Sequence, residues 1–309
     1  MAQNTVLYGA LASGNNYYNL ARDLSWMNSK NEEITTRDGH VKGYLVNLKV
    51  VGSTINFINV GHVPNTWKMR NAFRKWHAYR DMMFEDAGVT EEEKGRYGKT
   101  IRPYADPGMH ASGVIKDPVG WDLTTQTQEW SYTEIAAAPG FDKDAVGTEG
   151  AAAVDTYKLN ICGVNQVSAT TTLGTEYYDE VGMIHSYNQD RQEIVTPSVD
   201  SETIEGHNNP LALLRYKGTA GGEVMDIVED QEKEAPPYDI TDGGFSTSLV
   251  QSDILQINPG YDGTNSVPVI RQTTVFVPAG ILILNAKVAD SAAGVLVEVL
   301  DTILCKDME

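Results

Sequence analysis

Only one long stretch of this sequence has a helical period, and any fold must accommodate it. Within residues 64–87, PNTWKMRNAFRKWHAYRDMMFEDA, the residues Met69, Ala72, Phe73, Trp76, Tyr79 and Met83 recur at spacings of three and four. That spacing gathers them on one face of a helix. Lys68, Arg70, Arg74 and Lys75 fall away from that face. Pro64 with Asn65 or Thr66 makes a start signal, and Gly88 makes a stop. The reading is one principal amphipathic helix near 65–87, with Phe73, Trp76 and Met83 as its buried contribution to a core.

Most of the remaining patterned sequence has a period of two. In VKGYLVNLKVV (41–51), Tyr44, Val46, Leu48 and Val50 alternate with Leu45, Asn47 and Lys49. Gly52 and Ser53 then turn the chain into TINFINV, which reads as a hairpin or an adjacent strand. The stretch TTLGTEYYDEVGMIHSYNQDRQEIVTP reads as further short strands. The last seventy residues are the most strand-like: SLVQSDILQI, VPVIRQTTVFVP, GILILNAKV and GVLVEVLDTIL. A short helix also fits YNLARDLSWMNSKNEE, where Leu20, Leu24 and Met27 are spaced four and three. There is no repeat of fixed period. Many short strands separated by Gly, Pro and Asp turns predict a mainly β chain: a sandwich, a barrel or a jelly roll.

The net charge of −18 argues against a general nucleic-acid binder, which is expected to be basic. Cys162 and Cys305 stand far apart, without metal-ligand spacing, and read as buried small apolar residues in a reducing compartment. The N-terminal MAQNTVLYGALASG has no basic region and no continuous apolar core, so it does not read as a signal peptide. Apolar runs such as AGILIL fall far short of the ~20 residues of a membrane span.

No catalytic motif stands out. The nucleophile elbow, the P-loop and HExxH are all missing. The histidines (His40, His62, His77, His110, His185, His207) are not paired at metal spacing. YDGTN and DITDGG are acidic glycine turns without the EF-hand pattern. Tyr177, Tyr178, Trp121 and Trp130 could line a sugar site, but such aromatics more often pack cores or subunit contacts. The expectation is a chain without catalytic residues, cofactor or metal.

A short N-terminal segment, an early strand pair (VKGYLVNLKVV, TINFINV), an inserted helix (TWKMRNAFRKWHAYRDMM) and strand-rich halves with long loops together resemble the jelly-roll capsid proteins of small DNA viruses. The organisation is most similar to the double jelly-roll major capsid proteins of small membrane-containing bacteriophages with single-stranded DNA. The resemblance implies a double jelly roll with the helix inserted near 65–87, the alternative being a single elaborated jelly roll. It implies an arm over 1–40, a first roll over 41–196 and a second over 197–309. It also implies homotrimers that form pseudo-hexameric capsomers and tile an icosahedral shell. The chain would then be made in the host cytoplasm and reside in the virion, beside partners such as a vertex protein and an internal lipid membrane. Residues 1–21 contain no Lys or Arg, so a basic arm that neutralises a genome is missing. The alternative function is a β-sandwich phage tail protein that binds or degrades polysaccharide.

Subunit contacts are expected from loops 88–113, 139–155 and 197–210 and from the arm, because loops longer than a barrel needs are usually functional. Arg96, Tyr97, Arg102, Tyr104 and His110 are the contact candidates in the first loop, Arg and Tyr being favoured at interfaces.

Overall fold

The computed structural model describes residues 3–90, 100–120, 130–136, 156–169, 176–192, 247–261 and 266–305. It is a mixed structure, with antiparallel sheets and three α-helices among those residues. The chain divides into two compact units. Unit 1 comprises residues 1–65, 107–131 and 249–309; unit 2 comprises residues 66–106 and 132–248.

Unit 1 contains β1 (Thr5–Tyr8), β2 (Gly14–Asn19), α1 (Leu20–Asn28), β3 (Lys42–Gly52) and β4 (Asn56–His62). In unit 2 follow α2 (Trp67–Asp86), β5 (Glu134–Ala136), β6 (Thr156–Asn160), β7 (Gln166–Ala169), β8 (Glu176–Gly182) and α3 (Met183–Gln192). Unit 1 then resumes with β9 (Val250–Ile257), β10 (Gly260–Tyr261), β11 (Ser266–Val267), β12 (Val269–Pro278), β13 (Ile281–Ala286) and β14 (Gly294–Leu304).

Two four-stranded sheets make up unit 1, in the orders β1-β14-β3-β12 and β2-β13-β4-β9, with every neighbouring pair antiparallel. Period-two patterning positions the core. Tyr44, Val46, Leu48 and Val50 of β3 are buried, as are Val295, Val297 and Val299 of β14, while the residues between them are half-buried. The sheets face each other. The Tyr8 and Tyr18 rings meet edge to face with centroids 4.6 Å apart, and a Cβ at Gly52 would lie 2.8 Å from Ile257.

Both open sides of this sandwich are fastened. On one side, segment 114–119 runs beside the two edge strands. The Tyr17 N–H donates to the Val114 carbonyl, Lys116 N–H donates to Tyr17, and Val119 N–H donates to Leu7. On the other side, the Arg271 guanidinium Nε donates to the Gln256 carbonyl and the Thr273 hydroxyl to Asp253. Covered edges leave fewer unpaired backbone groups to recruit another strand.

Two sequence expectations change here. Residues 5–8 and 14–19, expected in an arm, are strands of the two sheets. β1 alternates in burial although Val6, Leu7 and Tyr8 are all apolar, and in β2 the fully buried Asn16 is satisfied by the carbonyls of Ala12, Gly14 and Leu284. The expected β3–β4 hairpin is also absent. The two strands lie in different sheets, and the intervening turn crosses the sandwich. The tight break at 278–280 does the same between β12 and β13, with Ala279 at φ 53° and Gly280 at φ 69°. Only glycine adopts that region without penalty.

Unit 2, among its described residues, holds one four-stranded sheet, β5-β6-β8-β7, in which β6 and β8 are parallel. The principal helix is present as α2, beginning where Thr66 Oγ1 accepts the Met69 N–H. Trp76 and Phe73 are fully buried; Met83 is half-buried. Trp76 meets Tyr79 and, on β6, Tyr157, at 5.4 and 6.4 Å between ring centroids. Residues 183–192, read as strand, form α3. Gly182 admits this strand-to-helix junction, since a Cβ there would lie 2.2 Å from the Gly163 carbonyl oxygen.

Candidate contact surfaces and buried clusters

Of the contact candidates, Arg96 and Tyr97 lie outside the described residues, as do loops 139–155 and 197–210. Arg102 and Tyr104 belong to unit 2 and His110 to unit 1, so the expected single excursion over 88–113 is divided. The Arg102 backbone exchanges hydrogen bonds with Thr133: its N–H donates to Oγ1 and its carbonyl accepts the Thr133 N–H. Tyr104 donates its N–H to Leu159 and accepts from Ile161, extending the unit 2 sheet by a bridge to Asn160. Its ring stacks on Tyr132 at 4.0 Å, and burial together with nearby Glu134 raises its hydroxyl pKa. These two residues therefore have local structural work within unit 2. His110 ends a 3-10 turn, Pro107–His110, and is half-buried.

Sequence reasoning missed a polar cluster between α2 and α3. Residues 183–188 are all buried, although His185, Ser186 and Asn188 are polar. Such a helix has no clean apolar stripe, which is why period counting overlooked it. Buried Asp190 is ion-paired with Lys75. Asn71 donates to the Tyr187 hydroxyl, and the Arg191 guanidinium lies over Trp67 at 4.7 Å. Asn165 starts α3 by accepting the Gly182 N–H and the Ser186 hydroxyl. The pair joins α2 to α3, and taking Asp190 out of water offsets much of what their attraction gains. Among the described residues no group of three His, Cys, Asp or Glu is placed to hold a metal, and no helix is long and apolar enough to cross a membrane.

A second cluster lies in unit 1, where α1 meets β1 and segment 114–119. Asn19 caps α1 by accepting the Arg22 N–H. Arg22, nearly buried, donates from Nε to Asp23 Oδ1 at 2.8 Å, pairs through Nη2 with Asp117 at 3.0 Å, and reaches the Lys116 carbonyl. Its guanidinium also lies 4.6 Å from the centre of the Trp26 ring. The Tyr8 hydroxyl donates to Asp23 Oδ2 at 2.5 Å. Burial pushes the Asp23 carboxyl up to about 6, against the opposing pull of Arg22 and the Tyr8 hydroxyl. Cys162 and Cys305 are free and buried; burial raises the Cys162 thiol well above its ordinary value.

A third region is the end of unit 1 where β1–β2, β3–β4, β9–β12 and β13–β14 are connected. Antiparallel pairing throughout both sheets puts these four connections at one end. Asp290 ties three of them together. Its carboxylate accepts the N–H groups of Ser53 (2.9 Å) and Thr54 (3.1 Å), and its backbone exchanges two hydrogen bonds with Leu11. Asn56 and Val288 exchange two more. Apolar side chains stand exposed at this end: Ile55 and Val288 on the tied connections, and Tyr261 and Val267 on the β9–β12 connection. The sequence signal was available in loops such as GALAS and KVADSAA, which are rich in small residues.

Comparison of the chain with family models, with curated proteins and with solved structures finds no match.

Proposed function

We propose that unit 1 is a jelly roll and that the chain is a viral major capsid protein, a structural subunit that assembles with copies of itself into a closed shell. The observation that carries this reading is the nesting of the eight sheet strands. Counted along the chain, the first pairs with the last (β1·β14), the second with the seventh (β2·β13), the third with the sixth (β3·β12) and the fourth with the fifth (β4·β9). Such a set of pairs is one long antiparallel ribbon rolled up, and the roll produces the two sheet orders described above. Double-sheet jelly rolls of eight strands are the architecture of capsid and lectin domains.

This supports the single elaborated form of the expected fold, with most of residues 66–248 inserted between the fourth and fifth strands. The described part of unit 2 contributes a four-stranded sheet with a parallel pair and two helices, so it lends no support to a second roll. The homotrimer and pseudo-hexameric capsomer follow from the double form. With one roll per chain, the number of copies in a ring is read from mass. The vertex protein and the internal lipid layer remain partners implied by the resemblance. The acidic chain disfavours direct contact with DNA.

Sedimentation velocity and electron microscopy of the purified full chain test the proposal. Ring oligomers or closed particles are expected. A chain that stays monomeric at all salt and protein concentrations, and binds oligosaccharide by calorimetry, would support the polysaccharide-binding alternative instead.

A further inference from the structure

We infer that segment 114–119 is a clasp on one open side of the unit 1 sandwich whose hold depends on the charge of Asp23: firm while the carboxyl carries its proton, loosened once it ionises. The device lies wholly within unit 1 and goes beyond the reading of the chain as a shell subunit.

The clasp has the makeup of a movable segment. Gly113 and Gly120 flank it, both exposed and both in the left-handed region, at φ 77° and 91°. Glycine occupies that region without the penalty other residues meet. Between them only Pro118 is buried, and Val119 is 57% exposed. Apolar burial therefore contributes little to the attachment, and segments held in that way are the ones that open locally. Two fastenings remain. Backbone hydrogen bonds to Tyr17 and Leu7 tie the clasp to both sheets. Arg22 ties it to α1, donating from Nη2 to the Lys116 carbonyl at 2.7 Å and pairing with Asp117 at 3.0 Å.

The same guanidinium serves a second carboxylate. Arg22 Nε donates to Asp23 Oδ1 at 2.8 Å. Asp23 is fully buried, whereas the Asp117 side chain is 26% exposed. With Asp23 ionised, two negative charges share one positive charge and repel each other. Asp117 is the one that water can reach, so it is the one that gives way. With Asp23 protonated, the charge of Arg22 is left to Asp117. The other groups around Asp23 do not reverse this. Tyr8 on β1 donates to Asp23 Oδ2, and its ring meets that of Tyr18 on β2; burial keeps both phenols protonated. Lys116 turns its Nζ to the Gly113 carbonyl, and the Trp26 ring lies against Arg22. Burial pushes the Asp23 carboxyl up to about 6; Arg22 and Tyr8 oppose the rise and Asp117 adds to it. The closed clasp therefore holds this proton more tightly than the open one. The contribution is complete below 3.8 and is lost as pH rises through about 6.

Amide hydrogen exchange of the full chain at pH 5 and pH 7, with each rate normalised to the intrinsic rate at that pH, tests the inference. Protection of the Lys116 and Val119 amides should be about tenfold lower at pH 7. Opening returns Asp23 toward its ordinary value, and the one pH unit between 5 and about 6 is worth about a factor of ten. Both amides should exchange faster than those of β3 at either pH, which marks the opening as local rather than as unfolding of the sandwich. Asp23→Asn should remove the pH dependence. Asp117→Asn, at a partly exposed position that leaves Asp23 in place, should lower protection of the two clasp amides at pH 5 without changing that of β3. Wild-type protection that is flat, or that rises with pH, overturns the inference. So does exchange of the clasp amides at the same rate as those of β3, a pH dependence that survives Asp23→Asn, or an Asp117→Asn clasp protected like the wild type.

Discussion

Asp23 shows how a buried side chain can fasten a fold and still cost it stability. Its carboxylate accepts from Arg22 and Tyr8, yet removal from water dominates and raises its pKa from 3.8 to about 6. The folded state therefore holds this proton more tightly than the unfolded chain does. The group's contribution to stability is complete below its unfolded pKa near 3.8 and is lost as pH rises through about 6. A shift of this size corresponds to about 3 kcal/mol. Asp23→Asn keeps an oxygen facing Arg22 but cannot ionise. In urea titrations between pH 4 and pH 7, wild-type stability should fall relative to the variant as pH rises. A difference that is flat, or that runs the other way, would show that Arg22 and Tyr8 outweigh desolvation. The same reasoning explains why Arg22 is not an isolated buried cation: Asp23, Asp117, the Lys116 carbonyl and the Trp26 ring surround it.

Among the elements, α2 and the sheet-edge segment 114–119 lead to the clearest expectations. Trp76 is fully buried between Tyr79 and Tyr157, so Trp76→Ala should cost about 3–5 kcal/mol. Met83→Ala, from a half-buried position on the same face, should cost clearly less, and equal losses in denaturant midpoints would contradict the packing described. Segment 114–119 should behave as structure rather than loop. The amides of Lys116 and Val119, donated to Tyr17 and Leu7, should exchange with deuterium far more slowly than that of Gly113; equal rates would mean the edges are not covered. These elements also show what the sequence could convey. α2 was legible because its period and its cap are local properties, and β3 because its alternation marks one buried face. The partner of β3 was not legible. A glycine–serine turn suits a hairpin, whereas Asp290, far along the chain, holds residues 53 and 54 where they cross the sandwich. β2 was obscured because GNNYYN buries Asn16 through hydrogen bonds rather than hydrophobicity. α3 was obscured because its buried positions include His185, Ser186, Asn188 and Asp190, so no apolar stripe marks them. Of the contact candidates, Arg102 and Tyr104 were recognisable as interface-type residues, but their backbone pairing within unit 2 depends on Thr133, Leu159 and Ile161, which sequence spacing cannot bring near.

At the scale of the whole molecule, self-assembly has to overcome the net charge of the chain. Copies brought together bring their acidic surfaces closer, and each carries −18. The reach of that repulsion is set by salt: the screening length is about 30 Å at 0.01 M ionic strength and about 8 Å at 0.15 M. At low salt, repulsion between neighbouring copies should oppose any short-range apolar contact between them. At moderate salt it should be largely screened, while apolar burial persists. Assembly followed by light scattering should therefore begin at a lower protein concentration in 0.5 M than in 0.01 M sodium chloride. Assembly that weakens as salt is added would mean that attraction between opposite charges holds the copies together, and the contact would then have to be sought on the charged surfaces.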